Sequence, residues 1–581
     1  MKISFFTKCK ELLGSSKKIV IICICLTLFQ VILSVANTIF GAYYGIDVAL
    51  MSKDMSKLMF FIFVTFIYIL IDIMVFHIVY KLGIIEFRKI ALNLRQRVFN
   101  KAIYLDKEYH NTHASGGILN TIDYDIDLYT NMMVSTISNL FGIITKMGIF
   151  FAIISIINFK LSLILWIAAP LFALIAVFSN KAQSKIHEKR RSVNKQRIAF
   201  INEGIMGVKT IKSLNLEEKE VEEFKGLNRK YFRYRMAELS QRQLFWRSFD
   251  IAFHGSLVVL FLMSYKLNIS YGELYLYYSI FRNCLFAVSD LTGVIDYLSE
   301  EKVSMNKIYD LLMVEPIVKD KEITLDKNDN LIGNIEFKNI DFKYPKGEKV
   351  LSDFNLVIPN KSKVAIVGKT GSGKSTIASL LFRFYEPIEG KILIDNIDYT
   401  DLKLEYLHKQ IGFILQDPLL FDDTITNNVK YGKLDASDEE VVRACKLVGA
   451  DEFITKLKNG YNTNIGEGGI ILSLGQKQLL AFARVILSNP SIIILDEATS
   501  NIDSETETLI QKNINTLFKD KTCLFIAHRL STIKNVDKII YLDKGKIIES
   551  GSHDELMRLQ GRYATLYNNQ FMEKSLKEIL E

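Results

Sequence analysis

The first half of the chain alternates between long apolar runs and polar stretches. Six runs approach the roughly 20 residues that a helix needs to cross the hydrocarbon core of a bilayer. They lie at about residues 19–40, 58–80, 136–157, 161–180, 248–267 and 274–296, and the third and sixth contain charged residues. This pattern predicts six transmembrane helices. The first run is too long for a secretory signal, and it lacks a small-residue cleavage site.

Two long connections, 81–135 and 181–247, carry most of the basic residues between the runs, whereas the other three connections are short. Because basic residues stay on the cytoplasmic side of a membrane, this charge pattern predicts that both termini are cytoplasmic. Apolar residues also recur at helical spacing inside the basic connections, as in FRKIALNLRQRVF from Phe87 to Phe99. The spacing predicts helices that continue well beyond the membrane.

Composition agrees with a membrane protein. Apolar residues make up 49% of the 581 residues, and the mean hydropathy is positive. The net charge of +8 comes from basic residues that flank apolar runs, so orientation in a bilayer explains it better than a nucleic-acid partner does. The six cysteines are scattered without zinc or disulfide spacing, which favours a reducing cytosolic side. The Lys/Ile/Asn-rich composition is typical of bacteria and suggests a bacterial cytoplasmic membrane.

The pattern changes after the sixth run. From Ile335 onward, short β-rich runs alternate with helical patterns, which is typical of an α/β domain with a largely parallel sheet. The predicted order is a cytoplasmic segment 1–18, a six-helix membrane domain 19–301, a linker 302–332, the α/β domain 333–567 and a tail 568–581. The fold class is thus a multidomain α-helical membrane protein followed by an α/β domain.

The α/β domain contains a phosphate-binding loop. A buried strand pattern, Val364–Val367, precedes G-x-x-x-x-G-K-S, and an Ala/Leu-rich helical pattern follows. Such a loop folds around an anion with its N–H groups, its lysine contacts the outer phosphates, and its serine hydroxyl binds Mg²⁺. The predicted nucleotide-binding residues are Gly368, Lys369, Thr370, Gly371, Ser372, Gly373, Lys374, Ser375 and Thr376.

A second strand pattern, Ile492–Leu495, ends in two acidic residues. We expect Asp496 to hold Mg²⁺ through water and Glu497 to polarise the water that attacks the terminal phosphate. Two acids at a strand end could also be acidic residues at the sheet edge without a catalytic role, but the phosphate loop makes that interpretation weak.

Between these two motifs, Leu472–Gln478 reads LSLGQKQ, which closely resembles the signature of ATP-binding cassette (ABC) proteins. The whole chain, with six spans ahead of one cassette, resembles an ABC exporter half-transporter. The resemblance implies the cofactors ATP and Mg²⁺ and a second half-transporter as partner. It also implies that ATP lies between the phosphate loop of one cassette and the signature of the other.

The resemblance implies further site residues. By this resemblance, Tyr344 would stack on adenine, and Gln416 would contact Mg²⁺ and the membrane domain. Asp503 would lie in the loop that joins the two ATP sites, and His528 would be the switch histidine. Ser473, Gly475 and Gln476 would contact the partner subunit's γ-phosphate. The catalytic residues would be Glu497, His528 and Gln416. The Mg²⁺ ligands would be Ser375, Gln416 and Asp496.

The chain departs from the signature at one residue, because Leu474 stands where the family has glycine. Leucine would be strained there if the position needed a positive φ; otherwise its N–H still serves. Since Glu497 and His528 are both present, a homodimer is favoured, and a heterodimer in which this chain is the intact member stays open.

The function expected from this resemblance is ATP-driven export of a drug, lipid or peptide by alternating access. An ATP-switched sensor is the alternative, and six spans exclude a chromosome or DNA-repair ATPase. Charged residues inside the spans (Asp72, His77, Lys146, Arg282 and Asp290) are default candidates for a polar substrate cavity. The competing interpretation is a structural ion pair of Asp72 with Lys146 or Arg282.

Overall fold

The computed structural model describes residues 5–13, 17–113, 115–321, 330–345, 347–496, 518–527 and 533–569. These residues form two compact units. Unit 1 comprises the described residues within Met1–Leu105 and Tyr109–Val314, and unit 2 comprises those within Asp106–Glu108 and Glu315–Glu581.

Unit 1 is helical. Its helices, in chain order with α4 at the boundary between the units, are α1 Phe5–Leu13, α2 Lys17–Phe40, α3 Met55–Ile103, α4 Lys107–Thr112, α5 Ser115–Asn120, α6 Ile126–Asn131, α7 Ile137–Ile157, α8 Phe159–Met206, α9 Val208–Ser213, α10 Glu217–Lys266 and α11 Tyr271–Met313. π-Helical segments extend α2 over Gly41–Leu50 and flank α6 at Thr121–Asp125 and Met132–Thr136.

Local sequence explains where the long helices begin. Asp54 caps α3 by accepting a hydrogen bond from the Ser56 N–H, and Asn158 and Ser270 cap α8 and α11 in the same way. Helices α3, α8 and α10 have 49, 48 and 50 residues. At about 1.5 Å per residue each is more than 70 Å long, over twice the thickness of a hydrocarbon core. The predicted extensions beyond the membrane are therefore confirmed.

Five helical stretches in the described chain are long and apolar enough to cross a membrane: Val20–Leu50, Met55–Ile103, Gly116–Ile157, Phe159–Met206 and Glu217–Lys266. The sixth predicted span, 274–296, lies in α11, which is long enough but more polar, with Arg282 and Asn283 near the middle of that span. Large apolar side chains on α3, such as Phe63 and Ile73, are more than half exposed. Such an apolar outer surface is what contact with lipid requires.

Unit 2 contains two sheets. The antiparallel sheet has the order β2-β1-β4-β5, and the larger sheet has the order β10-β9-β3-β8-β7-β6. The strands are β1 Ile335–Lys343, β2 Lys349–Ile358, β3 Lys363–Val367, β4 Glu389–Ile394, β5 Ile397–Asp398, β6 Ile411–Ile414, β7 Ile492–Asp496, β8 Thr522–Ile526, β9 Lys538–Asp543 and β10 Lys546–Gly551. Strands β9, β3, β8, β7 and β6 pair in parallel, which confirms the predicted α/β class.

The core of unit 2 lies on both faces of the parallel sheet. Along β3, Ala365 and Val367 join one hydrophobic cluster, and Val364 and Ile366 join the other. Successive strand residues point to opposite faces, so a strand that is buried on both sides must be apolar throughout, as this one is.

The helices of unit 2 surround this sheet. They include α12 Lys374–Leu381, α13 Leu404–Gln410, α14 Ile425–Lys430, α15 Asp438–Val448, α16 Asp451–Ile454, α17 Leu474–Ser488 and α18 His553–Arg558. Helix α11 of unit 1 runs on to Met313, so residues 302–313, placed in the linker by the sequence pattern, are helical. Residues 570–581, most of the predicted tail, lie outside the described residues.

Candidate ATP-binding site

The phosphate loop connects β3 to α12, as the motif predicts. Its glycines adopt conformations that other residues avoid, with φ of 81° at Gly371 and 105° at Gly373. At Gly368 the constraint is also steric, because a Cβ would lie 2.1 Å from the carbonyl oxygen of Leu542. The loop can therefore turn tightly enough to present its N–H groups to a phosphate.

Lys374 is the first residue of α12, and only 6% of it is exposed. Its Nζ donates to the carbonyl oxygens of Gly368 (2.9 Å) and Lys369 (3.1 Å), which belong to the same loop. A buried ammonium needs such acceptors. The lysine is thus held at the centre of the loop, where a bound phosphate would lie.

Ser375 and Asp496 come together at one edge of the sheet. The Ser375 Oγ lies 3.5 Å from the Asp496 Oδ1, and the Ser375 side chain is exposed. A hydroxyl and a carboxylate oxygen at this separation suit Mg²⁺, which is usually held by one or two carboxylates together with substrate phosphates. Across the described ranges, no group of three or more His, Cys, Asp or Glu residues could hold a metal ion unaided. The donor set therefore fits a metal that arrives with a nucleotide.

Gln416 lies at the same edge. It follows β6, whose last residue, Ile414, pairs with Leu495 of β7, directly before Asp496. Because carboxyl ends of neighbouring parallel strands share an edge, Gln416 is brought near the Mg²⁺ ligands. Its side chain is exposed. Its backbone is fixed by Gln478, whose Nε2 donates to the Leu415 (3.1 Å) and Gln416 (2.7 Å) carbonyl oxygens.

Tyr344, the predicted adenine contact, is half-buried after β1. Its hydroxyl lies 3.0 Å from the Thr376 Oγ1, a residue of the phosphate-loop helix. The rings of Phe342 and Tyr385 pack edge-on against it, with centroids 5.0 Å and 5.2 Å away. These contacts place the tyrosine beside the loop and fix its ring.

The signature forms the beginning of helix α17. Ser473 is the N-cap: its Oγ accepts from the Gln476 N–H, and its own N–H donates to the Gln476 Oε1. This capping box leaves the helix N-terminus favourable for an anion. Leu474 is the first helical residue and is absent from the described residues with positive φ. The concern that leucine is strained there is therefore removed.

A lysine from the short segment Asp106–Glu108 also lies in unit 2. The Lys107 Nζ is 4.5 Å from the centre of the Phe384 ring. Burial lowers the pKa of this ammonium, and the charge of Asp496 partly opposes the shift. The Asp496 carboxylate is thus close enough to influence a cation that sequence reasoning assigned no role.

Three predicted residues, Glu497, Asp503 and His528, lie outside the described residues. Their roles stay predictions from the family resemblance. Sequence reasoning also missed residues that shape the described site. The sequence motif gives Gln478 only a place in the signature, although a glutamine on the buried side of α17 is a signal for a backbone contact.

Comparison with known proteins decides the family. Residues 20–289 match the family described as ABC transporter transmembrane region, and residues 351–500 match the family described as ABC transporter. The ATP-dependent lipid A-core flippase of Legionella pneumophila is 33% identical over 503 residues, covering 85% of this chain and 84% of the flippase. The chain belongs to the ABC transporter family.

Two other proteins, one known by sequence and one by its solved structure, are similar to this ABC transporter over most of its length. The probable multidrug resistance ABC transporter ATP-binding/permease protein YheH of Bacillus subtilis is 33% identical over 497 residues, 84% of this chain and 73% of YheH. A solved structure of a bacterial Atm1-family ABC exporter with ATP bound has a TM-score of 0.82 at 25% identity, covering 96% of this chain and 99% of that one.

Family membership confirms the predicted half-transporter layout, fold class and ATPase activity. The protein is an ATP-binding, multi-pass integral membrane protein whose general activity is ATP-driven export. The half-transporter layout implies that it works as a dimer.

The membrane domain of this ABC transporter contains a polar cavity of about 990 Å³, which three of the predicted intramembrane charges line: Lys146, Arg282 and Asp290. The competing interpretation, a structural ion pair of Asp72 with Lys146 or Arg282, is wrong. Asp72 accepts a hydrogen bond from the Gln30 Nε2 at 3.0 Å, and Lys146 donates to the Asn283 Oδ1 at 2.8 Å. His77 is exposed.

Proposed function

We propose that this chain is one half of a homodimeric exporter in a bacterial cytoplasmic membrane, with its termini and ATPase domain in the cytoplasm. It moves a drug, lipid or peptide outward by alternating access, in which ATP binding and hydrolysis shift the membrane domain between two states. The observation that carries the proposal is the approach of Ser375 and Asp496 within 3.5 Å in a chain that also holds the membrane helices.

In the proposed site, Lys374 and the loop N–H groups bind the phosphates, and Tyr344 supports the adenine. Ser375, Asp496 and Gln416 would hold Mg²⁺, which would neutralise phosphate charge when bound. Glu497 orients the attacking water, and His528 and Asp503 complete the site. Ser473, Gly475 and Gln476 act on the γ-phosphate held by the second copy.

The homodimer is supported because one chain contains the full set of ATP-site motifs. The phosphate loop, the strand-end carboxylates and the signature are all present, so two copies would make two like sites. The unstrained helical start at Leu474 supports a working signature. The relatives named a lipid A-core flippase and a probable multidrug transporter support a lipid or drug as substrate.

The test uses the full chain, expressed alone and reconstituted into nanodiscs. We expect a protein mass of two 66.6 kDa copies and an Mg²⁺-dependent ATPase that is lost in Glu497→Gln. A mixed dimer of one wild-type and one Lys374→Ala copy reports whether both sites are needed. A chain that stays monomeric and hydrolyses ATP only when another half-transporter is added would contradict the homodimer.

A further inference from the structure

The cavity in the membrane domain lies between α2, α7 and α11, with Thr27, Asn139 and Asn283 among its polar lining residues. Its charged residues sit deep. Arg282 is the twelfth residue of α11, and Lys146 lies eleven residues before the end of α7. At about 1.5 Å per residue both are roughly 17 Å from the same side of the membrane, near the middle of a hydrocarbon core of about 30 Å.

The hydrogen bond between Lys146 and Asn283 confirms that the two helices are level at this depth. The Lys146 ammonium therefore has a neutral partner. The Arg282 guanidinium is less satisfied: among the described residues it makes no ion pair or hydrogen bond. The guanidinium carbon lies 5.7 Å from the centre of the Phe286 ring.

A guanidinium in the middle of a membrane is costly unless a counter-charge or water reaches it. Asp290 lines the same cavity, but it forms no salt bridge with Arg282 or Lys146 within the described part of the chain. The cavity thus carries two cations and one carboxylate, with an excess positive charge at Arg282. Apolar residues such as Val31, Ile143 and Val294 line the rest of it.

A second cavity, of about 1050 Å³, adjoins the first through two shared lining residues, Gly293 and Tyr297. It lies toward the predicted cytoplasmic side, between the extensions of α8 and α10. Five cations and four carboxylates line it, and Arg191, Lys195 and Arg242 have no ion partner in the part of the chain that is described. The second cavity is therefore adjacent to the one that Arg282 lines.

We propose that the transported substrate is an anionic amphiphile whose acidic head group binds Arg282 with Lys146 beside it. The inference rests on the proposed export function and narrows its substrate. A phosphate or carboxylate accepts hydrogen bonds from the N–H groups of a guanidinium. The apolar lining would contact the hydrocarbon part of the substrate. A soluble anion would leave that lining unfilled, and a cationic drug would meet an excess of like charge.

The experiment compares head groups on one hydrocarbon chain. Full-length protein in phosphatidylcholine nanodiscs, which contain no anionic lipid, is titrated with dodecyl phosphate, dodecylphosphocholine, dodecyltrimethylammonium or methyl phosphate. ATPase rate and saturable binding of radiolabelled dodecyl phosphate are both measured. The variants are Arg282→Gln and the charge-preserving Arg282→Lys. Arg247→Gln, an exposed arginine of α10 near Asp250 and outside both cavities, is the matched control.

We expect dodecyl phosphate alone to bind saturably and stimulate the ATPase. In Arg282→Gln its half-maximal concentration should rise at least about tenfold, the loss expected for one charge-assisted hydrogen bond. Arg282→Lys should stay within about threefold of wild type on the same scale, and Arg247→Gln should match wild type in both its half-maximal concentration and its basal rate.

Equal stimulation by the cationic amphiphile, no saturable binding, or an unchanged response in Arg282→Gln would overturn the proposal. So would loss of the dimer in Arg282→Gln with rescue by Asp290→Asn, because Arg282 would then pair with a carboxylate of a second copy. Strong stimulation by methyl phosphate would show that the substrate is a soluble anion and not an amphiphile, which would also overturn the proposal. Absence of basal ATPase in the wild type would instead contradict the proposed function itself.

Discussion

The Ser375 Oγ and the Asp496 Oδ1 lie 3.5 Å apart, although 121 positions separate the two residues in the sequence. The first is the second residue of α12, the helix that follows β3, and the second ends β7, with β8 between the two strands. The parallel sheet brings a hydroxyl and a carboxylate to one edge, where they can share a metal ion with a phosphate.

The first prediction concerns this pair. Ser375→Ala and Asp496→Asn each remove an oxygen ligand or its charge, so the Mg²⁺ concentration for half-maximal ATPase should rise at least tenfold, which corresponds to about 1.4 kcal/mol. An Mg²⁺ titration of the ATPase measures it. Ser379→Ala, one turn further along the same helix, is the control and should keep the wild-type requirement. An unshifted Mg²⁺ curve in both site variants would refute the assignment.

The second prediction separates binding from chemistry. Lys374→Ala removes the cation held at the centre of the loop, so ATP affinity itself should fall. Glu497→Gln should bind ATP but turn over almost none, because only the group that orients the water is lost. Fluorescent-nucleotide binding and ATPase rates measure the two effects. Near-normal turnover in Glu497→Gln would show that another group performs this role.

The third prediction compares two glycines of the phosphate loop. Gly368→Ala places a methyl group 2.1 Å from the Leu542 carbonyl oxygen and should destabilise unit 2 by about 3 kcal/mol. Gly371→Ala meets no atom within 4 Å and should cost only the strain of its positive φ, about 1–2 kcal/mol. The melting temperature of the full-length protein should fall clearly more for Gly368→Ala. Equal melting temperatures would argue against the steric explanation.

The phosphate loop and the strand that carries Asp496 could be predicted from sequence because their signals are local. A buried strand followed by fixed glycine spacing specifies the loop wherever it occurs. The contact of Gly368 with Leu542 could not be predicted, since it depends on how β9 lies beside β3. The partner of Asp72 was missed for a related reason: Gln30 is one uncharged polar residue in an apolar run, and only the packing of α2 on α3 reveals it.

The fourth prediction concerns Gln478, which links the signature helix to the loop carrying Gln416. Gln478→Ala leaves the Leu415 and Gln416 carbonyl oxygens without this donor, at a cost of about 1–3 kcal/mol. We expect a lower melting temperature and a reduced ATPase rate. Gln478→Glu keeps the size but removes the donor, so it should resemble Gln478→Ala. If Gln478→Glu behaves like wild type, the effect comes from packing and not from these hydrogen bonds.

The fifth prediction concerns Leu474, the residue that departs from the signature. It occupies the first position of α17 with helical geometry, and Ser473 and Gln476 form their capping box around it. Leu474→Gly therefore relieves no strain, and the N–H of this position is present in either case. We expect ATPase activity within severalfold of wild type, measured on the homodimer at saturating ATP. A gain above a hundredfold, about 2.7 kcal/mol of barrier, would mean that leucine impairs the site. Since two impaired sites would leave a homodimer nearly inactive, that result would favour an asymmetric heterodimer in which a partner supplies the efficient signature.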